Sequence, residues 1–219
     1  MIEAAIFDMD GLLIDSEPFW RASHIAAVAQ HGVTITQDDV RVMAGKRTDE
    51  VVRHWRKNHN LQHIPNEQLE ADIVQAVIAS ITEAGLELPG VRQLIALFEA
   101  HHIPMAVASS SSPEIIAAVL TKLDLARHMT VTHSAKHEEF GKPHPGVFLT
   151  TAKKLGVKPA HCVVFEDALS GIRAAKAAGM KCIAVPEVAN HNKPEFQEAD
   201  VVVQSLEQVT WGMLSKLTV

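Results

Sequence analysis

Short apolar runs alternate with amphipathic stretches along most of this chain. Residues 4–7, 103–108, 129–132, 162–165, 182–185 and 201–203 are apolar runs of strand length, rich in Val, Ile, Ala and Cys. Between them, residues 91–101, 113–122, 145–155 and 170–178 space their apolar positions for one face of a helix. This alternation predicts an α/β fold: a Rossmann-like, mostly parallel sheet covered by helices, with ligands gathered at the carboxyl ends of the strands. Residues 16–88 break the pattern. They contain no convincing strand, but Leu69, Ile73, Ala76, Val77 and Ile81 fall on one helical face, and Leu88-Pro89-Gly90 marks a turn out of the segment. The expected organisation is an α/β core formed by residues 1–15 and 89–219, with an all-helical cap inserted over residues 16–88.

Composition narrows the class of function. With 219 residues and 47% hydrophobic content the chain can bury a substantial core. A formal charge of -6 and the lack of a basic run argue against nucleic acid or an acidic membrane surface as partner. Cys162 and Cys182 lie in runs that read as neighbouring core strands, so two buried thiols in a reducing compartment are expected, not a disulfide framework. Without an apolar stretch of spanning length or a signal-like start, a cytoplasmic location is expected; a monomer is the default expectation, which no feature of the sequence fixes.

The sharpest chemical signal is Asp8-Met9-Asp10-Gly11, directly after the first apolar run. Side chains two apart on an extended chain point the same way, so Asp8 and Asp10 should face one site where the strand ends. Adjacent carboxylates repel, and persist most easily when a cation neutralises them or one carries a proton. Gly11 permits a tight departure, so the pair suits metal-assisted chemistry. Three more signals follow other strands. Ser109-Ser110-Ser111-Ser112 precedes Pro113-Glu114; its hydroxyls and amides could hold phosphate, or Ser112 could simply cap a helix. Lys142 lies in Gly141-Lys142-Pro143-His144-Pro145, where two prolines stiffen the loop; a solvated lysine is the alternative. Glu166-Asp167 follows residues 162–165 and either complements a helix dipole or supplies metal ligands. The conjunction of four such signals at four strand ends favours a site over capping alone. His59/His63 and His133/His137 have metal-like spacing but no third ligand nearby, and read as solvated or loosely packed.

Asp8-Met9-Asp10-Gly11-Leu12, Ser109, Lys142 and Glu166-Asp167 resemble, in order and setting, the four motifs of the haloacid dehalogenase-like phosphohydrolases with a helical cap. Asp15-Ser16-Glu17-Pro18-Phe19-Trp20 is similar to the subgroup of bacterial phosphatases acting on 2-deoxyglucose 6-phosphate and hexitol phosphates. The resemblance implies a Mg²⁺-dependent phosphatase of small phosphorylated sugars or sugar alcohols. Asp8 would attack phosphorus and form an aspartyl phosphate, while Asp10 would protonate the departing alcohol and later accept a proton from water. Asp8, Asp167, Glu166 and the main-chain oxygen of Asp10 would hold Mg²⁺, and Lys142, Ser109 and the amide of Ser110 would bind phosphate. The cap would exclude water and select the alcohol. In it, Arg47, with Lys46 as second choice, is expected to reach the polar part of the substrate, or else both are exposed basic side chains. Phe19 and Trp20 read as packing between cap helices.

Rival readings are a phosphosugar mutase of the β-phosphoglucomutase type, a phosphoglycolate phosphatase, and a noncatalytic regulatory protein that binds a phosphorylated ligand. Mutases of that type carry a histidine where this chain has Trp20, which disfavours the first. A true dehalogenase is disfavoured because that branch works without Mg²⁺ and lacks the acid supplied here by Asp10.

Overall fold

A computed structural model describes residues 1–43 and 45–217. Its centre is a six-stranded, wholly parallel sheet in the order β3-β2-β1-β4-β5-β6, formed by β1 (Ala4–Phe7), β2 (Met105–Ser109), β3 (Val131–Ser134), β4 (Cys162–Glu166), β5 (Lys181–Ala184) and β6 (Val201–Val202). The predicted α/β class holds. β1 is fully buried because both sheet faces are covered, and its side chains divide by parity. Ala5 and Phe7 join one apolar cluster and Ala4 and Ile6 the other. Phe7 stacks on Phe165 at 5.2 Å and meets Phe98 edge-on at 6.0 Å on the first face.

The helices follow in chain order: α1 (Glu17–Ala29), α2 (Gln37–Arg41), α3 (Thr48–Asn58), α4 (Asn66–Ala84), α5 (Val91–Ala100), α6 (Pro113–Lys122), α7 (Gly146–Leu155), α8 (Leu169–Ala177) and α9 (Trp211–Leu214). α5 and α6 cover the Phe7 face and α7 and α8 the Ile6 face. Between β1 and α5 the described residues hold helices α1–α4 and no strand longer than an isolated bridge. α4 buries Leu69, Ile73, Val77 and Ile81, the predicted stripe, while Ala76 falls at its edge. This helical layer is not a separate droplet: its buried Trp55, Leu69 and Ile73 belong to the same apolar cluster as Phe7 and Phe98, and α4 packs on α6. Among the described residues no helix is long and apolar enough to cross a membrane.

Strand order reverses between β1 and β4, which run side by side with Phe7 opposite Phe165. That switch point places Asp8 beside Glu166 just beyond the sheet. β3 begins two residues later than the apolar run 129–132 suggests, because a 3-10 turn at Ala126–His128 delays entry into the sheet. His133 therefore lies in a strand and is buried. Its Nε2 meets Glu138 at 2.6 Å and its Nδ1 accepts from Lys154 at 3.0 Å, so the expectation of a solvated histidine is wrong there. Ser112 stands at the N-cap of α6 but makes no side-chain capping bond. Cys162 and Cys182 are free, buried and on neighbouring strands, as expected.

Candidate active site

The acids on the sheet side of the site leave the ends of β1 and β4 or the loops just after them, and Lys142 comes from the long connection between β3 and α7. Asp8 follows β1, and Gly11 then turns the chain at φ +77°, a conformation that favours glycine. A Cβ at Gly11 would lie 2.3 Å from Asp167 Oδ2, so the missing side chain also makes room for the second acidic loop. Glu166 ends β4 and Asp167 follows it. A Cβ at Gly171, in α8, would lie 1.7 Å from Glu166 Oε1, so this helix can pass behind Glu166 only as glycine.

Lys142 is buried between the two acidic strand ends. Its Nζ donates to Asp8 Oδ1 at 2.7 Å, Glu166 Oε1 at 2.6 Å and the carbonyl of Ala108 at 3.2 Å, and lies 4.9 Å from the centre of the Phe148 ring. It is held, as the two flanking prolines predict, and not solvated. Burial alone favours the neutral amine, but Asp8 and Glu166 outweigh it and hold the ammonium above its ordinary range.

One lysine does not neutralise the acids around it. Asp8, Glu166 and Asp167 bring carboxylate oxygens within 4.8 Å of one another, the single such grouping among the described residues. Burial, with Glu166 and Asp10 adding and Lys142 opposing, raises the Asp8 carboxyl from 3.8 to about 7. Burial, then Glu166 and Asp8, likewise push Asp167 well above the carboxylate range. These shifts mark negative charge that the one lysine leaves uncompensated at the floor of a cavity. A hard divalent cation with oxygen ligands fits it.

Asp10 belongs to a different part of the site. Its Oδ1 accepts from Ser16 Oγ at 2.6 Å and Trp20 Nε1 at 2.9 Å. Its Oδ2 accepts from Ser111 Oγ at 2.7 Å and, more weakly, Ser109 Oγ at 3.5 Å. The carboxylate is thus directed away from the three-acid grouping, and any part Asp10 plays in holding a metal falls to its main-chain oxygen. Ser109 also accepts from the amide of Ser111 at 3.0 Å, and the buried Ser110 hydroxyl has no partner.

These residues open onto a cavity of about 1160 Å³. The sheet side supplies Asp8, Asp10, Ser109, Ser110, Ser111, Lys142, Glu166 and Asp167; the helical segment supplies Glu17, Trp20, Arg21, His24, Lys46 and Thr48. His24 Nδ1 accepts from Trp55 Nε1 at 3.4 Å, and burial lowers its pKa to about 4, so a neutral imidazole faces the cavity at physiological pH. Burial and the nearby Asp10 raise the Glu17 carboxyl.

The Arg47 side chain is engaged by protein groups. Its guanidinium donates to the carbonyls of Ala135 at 3.2 Å and Glu138 at 2.7 Å and pairs with Asp49 at 3.0 Å and Glu50 at 3.4 Å. It is absent from the cavity lining, whereas Lys46 lines it. Local charge could not separate adjacent basic residues; the direction of each side chain on the loop into α3 did. Trp20 packs in the apolar layer as expected, yet its N–H also reaches Asp10. The contacts of Ser16, Trp20 and Ser111 with Asp10 were not foreseen from sequence, although Ser111 was among the hydroxyls considered for phosphate and Trp20 was singled out in the first cap helix. The stretch Asp15–Trp20 is unusually dense in polar and aromatic groups after a strand, and was the available signal for the first two.

The site thus combines acids at the switch point of a parallel sheet, a lysine between them and a helical layer over the cavity. The chain belongs to the haloacid dehalogenase-like hydrolases, whose family model matches residues 5–185. It is 38% identical over 210 residues to hexitol phosphatase B of Escherichia coli K12, which covers 95% of each chain. Among solved structures, CbbY from Rhodobacter sphaeroides in complex with phosphate superposes with a TM-score of 0.88 at 25% identity, over 95% of this chain and 96% of that one. β-Phosphoglucomutase from Clostridium difficile superposes with a TM-score of 0.85 at 25% identity, over 99% and 97%.

Proposed function

We propose that this protein is a Mg²⁺-dependent phosphatase of small phosphorylated sugars or sugar alcohols, with residues 16–88 acting as its cap. One observation carries the reading: Asp8, Glu166 and Asp167 converge with a single buried lysine on a cavity roofed by helices. The names of the relatives, hexitol phosphatase B first among them, support the substrate class.

In this reading an Asp8 oxygen attacks phosphorus, forming the aspartyl phosphate as the ester bond to the alcohol breaks. Asp10 gives its proton to the departing oxygen. It then takes a proton from water as water attacks the aspartyl phosphate, which releases phosphate and frees Asp8. Lys142 keeps Asp8 oriented and offers positive charge to the phosphoryl oxygens, and Ser109 with the Ser110 amide completes the cradle. Asp8, Asp167, Glu166 and the main-chain oxygen of Asp10 would hold Mg²⁺, which when bound supplies the neutralisation of carboxylate and phosphate charge. Glu17, Arg21, His24 and Lys46 face the alcohol, a polar wall suited to several hydroxyls. The free, buried thiols fit a reducing cytoplasm, and the acidic net charge fits neither nucleic acid nor an acidic membrane as partner. A monomer is the simplest working unit.

The test is phosphate release from sorbitol 6-phosphate, 2-deoxyglucose 6-phosphate, β-glucose 1-phosphate and phosphoglycolate, with Mg²⁺ and with chelator. Metal-dependent release from the first two is expected. Conversion of β-glucose 1-phosphate to glucose 6-phosphate without release would replace the phosphatase by a mutase, and silence throughout would favour a binding protein.

A further inference from the structure

The Asp10 carboxylate is gripped from two sides. Oδ2 faces the hydroxyls of Ser109, at the end of β2, and Ser111, just beyond it, while Oδ1 faces Ser16 at the entrance to α1 and Trp20 within it. The donors differ in kind. A serine hydroxyl rotates to whichever acceptor is near, but an indole N–H donates only, along a direction fixed by its ring. The Trp20 ring is itself fixed: it stacks on His24 at 5.7 Å and 23°, and His24 accepts the N–H of Trp55 at 3.4 Å in the core of the helical layer. A chain of oriented aromatic groups therefore runs from inside the cap to one oxygen of Asp10.

We propose that Trp20 is a positioning residue that ties the proton-transferring carboxylate of Asp10 to the cap, so that the seating of α1 decides how that carboxylate addresses the leaving oxygen. This rests on the phosphatase reading. The step affected is the one already described: the Asp10 proton passes to the ester oxygen as the bond from phosphorus to that oxygen breaks. An ester whose leaving group departs readily as an anion does not need that proton, whereas an alkyl alcohol does.

The test compares kcat/KM for sorbitol 6-phosphate and for p-nitrophenyl phosphate in the unmodified chain and in Trp20→Phe, which keeps a ring and removes the N–H. This quantity reports steps up to phosphoryl transfer, so slow hydrolysis of the aspartyl phosphate does not enter it. The ratio of the alkyl to the aryl ester is expected to fall about tenfold in Trp20→Phe, a fraction of what a general acid supplies because three hydroxyls still hold Asp10. In an Asp10→Asn background the same replacement should leave the ratio where it stands. Equal loss on both esters, or a shift that persists without Asp10, overturns the assignment in favour of a packing role. An unmodified chain that hydrolyses neither ester overturns the phosphatase reading with it. A second measurement does not depend on the folding of Trp20→Phe: in ¹H–¹⁵N spectra the Trp20 indole signal should move and exchange faster in Asp10→Ala, while those of Trp55 and Trp211 stay. An unmoved Trp20 signal refutes the contact.

Discussion

Replacing Lys142 by Met tests whether the buried charge cluster is organised as described. The unbranched side chain keeps the volume above the Phe148 ring and removes the positive charge that lies 2.7 Å from Asp8 and 2.6 Å from Glu166. Removing one partner of a buried pair costs about 3–5 kcal/mol, because the remaining charges are left uncompensated. The cost should depend on pH. Asp8 has a folded pKa raised from 3.8 to about 7, so it binds its proton more tightly in the folded state. The stability this contributes is complete below 3.8 and is lost as pH rises toward about 7. At pH 5.5 Asp8 is neutral with or without Lys142, and only the pair with Glu166 is broken. At pH 8 the variant must hold a proton on Asp8 or keep its charge beside Glu166 and Asp167 without the lysine. The expected loss in chelator is about 3–5 kcal/mol at pH 8 and about half that at pH 5.5, with Tm falling by about 6–20 °C at the higher pH. Thermal and urea unfolding of both chains at the two pH values measures it. Equal losses at both, or a loss at pH 8 below about 1 kcal/mol, would refute the argument.

Other perturbations probe separate parts of the site. Asp8→Asn should abolish turnover with the fold intact and, in chelator at pH 8, raise Tm above that of the parent, since it removes a charge that opposes folding there; circular dichroism and unfolding curves check both. Gly171→Ala sets a methyl 1.7 Å from Glu166 Oε1, so Glu166 must shift; the Mg²⁺ concentration for half-maximal activity should rise about tenfold, read from a metal titration. Arg47→Ala gives up two carbonyl contacts and should cost about 1–3 kcal/mol of stability with KM little changed, whereas Lys46→Ala should raise KM; the opposite division would return Arg47 to the substrate site. Chelation should stop turnover, and added Mg²⁺ should restore it and raise Tm most above pH 7, where Asp8 is ionised.

The parts of this protein legible in its sequence are those set by neighbours along the chain. Continuous apolar runs revealed the sheet, whose strands are covered on both faces, and helical spacing revealed the helical segment and the buried face of α4. Asp8 and Glu166-Asp167 were recognisable for a related reason: they stand at or just beyond a strand, and parallel topology brings such ends together, while Lys142 reaches them from the connection between β3 and α7. Tertiary structure decided what depends on the direction of side chains meeting from distant segments. Ser111 rather than Ser112 found the nearer polar partner because Asp10, 101 residues away in sequence, stands above it. Arg47 turned to carbonyls 88 and 91 residues further on, leaving the cavity to Lys46. Trp20 served both the apolar layer and Asp10, a double role visible only once α1 was seated over the sheet. Periodicity specifies which face of an element is buried; the partner of a polar group on that face is specified by packing between elements, which no local pattern encodes.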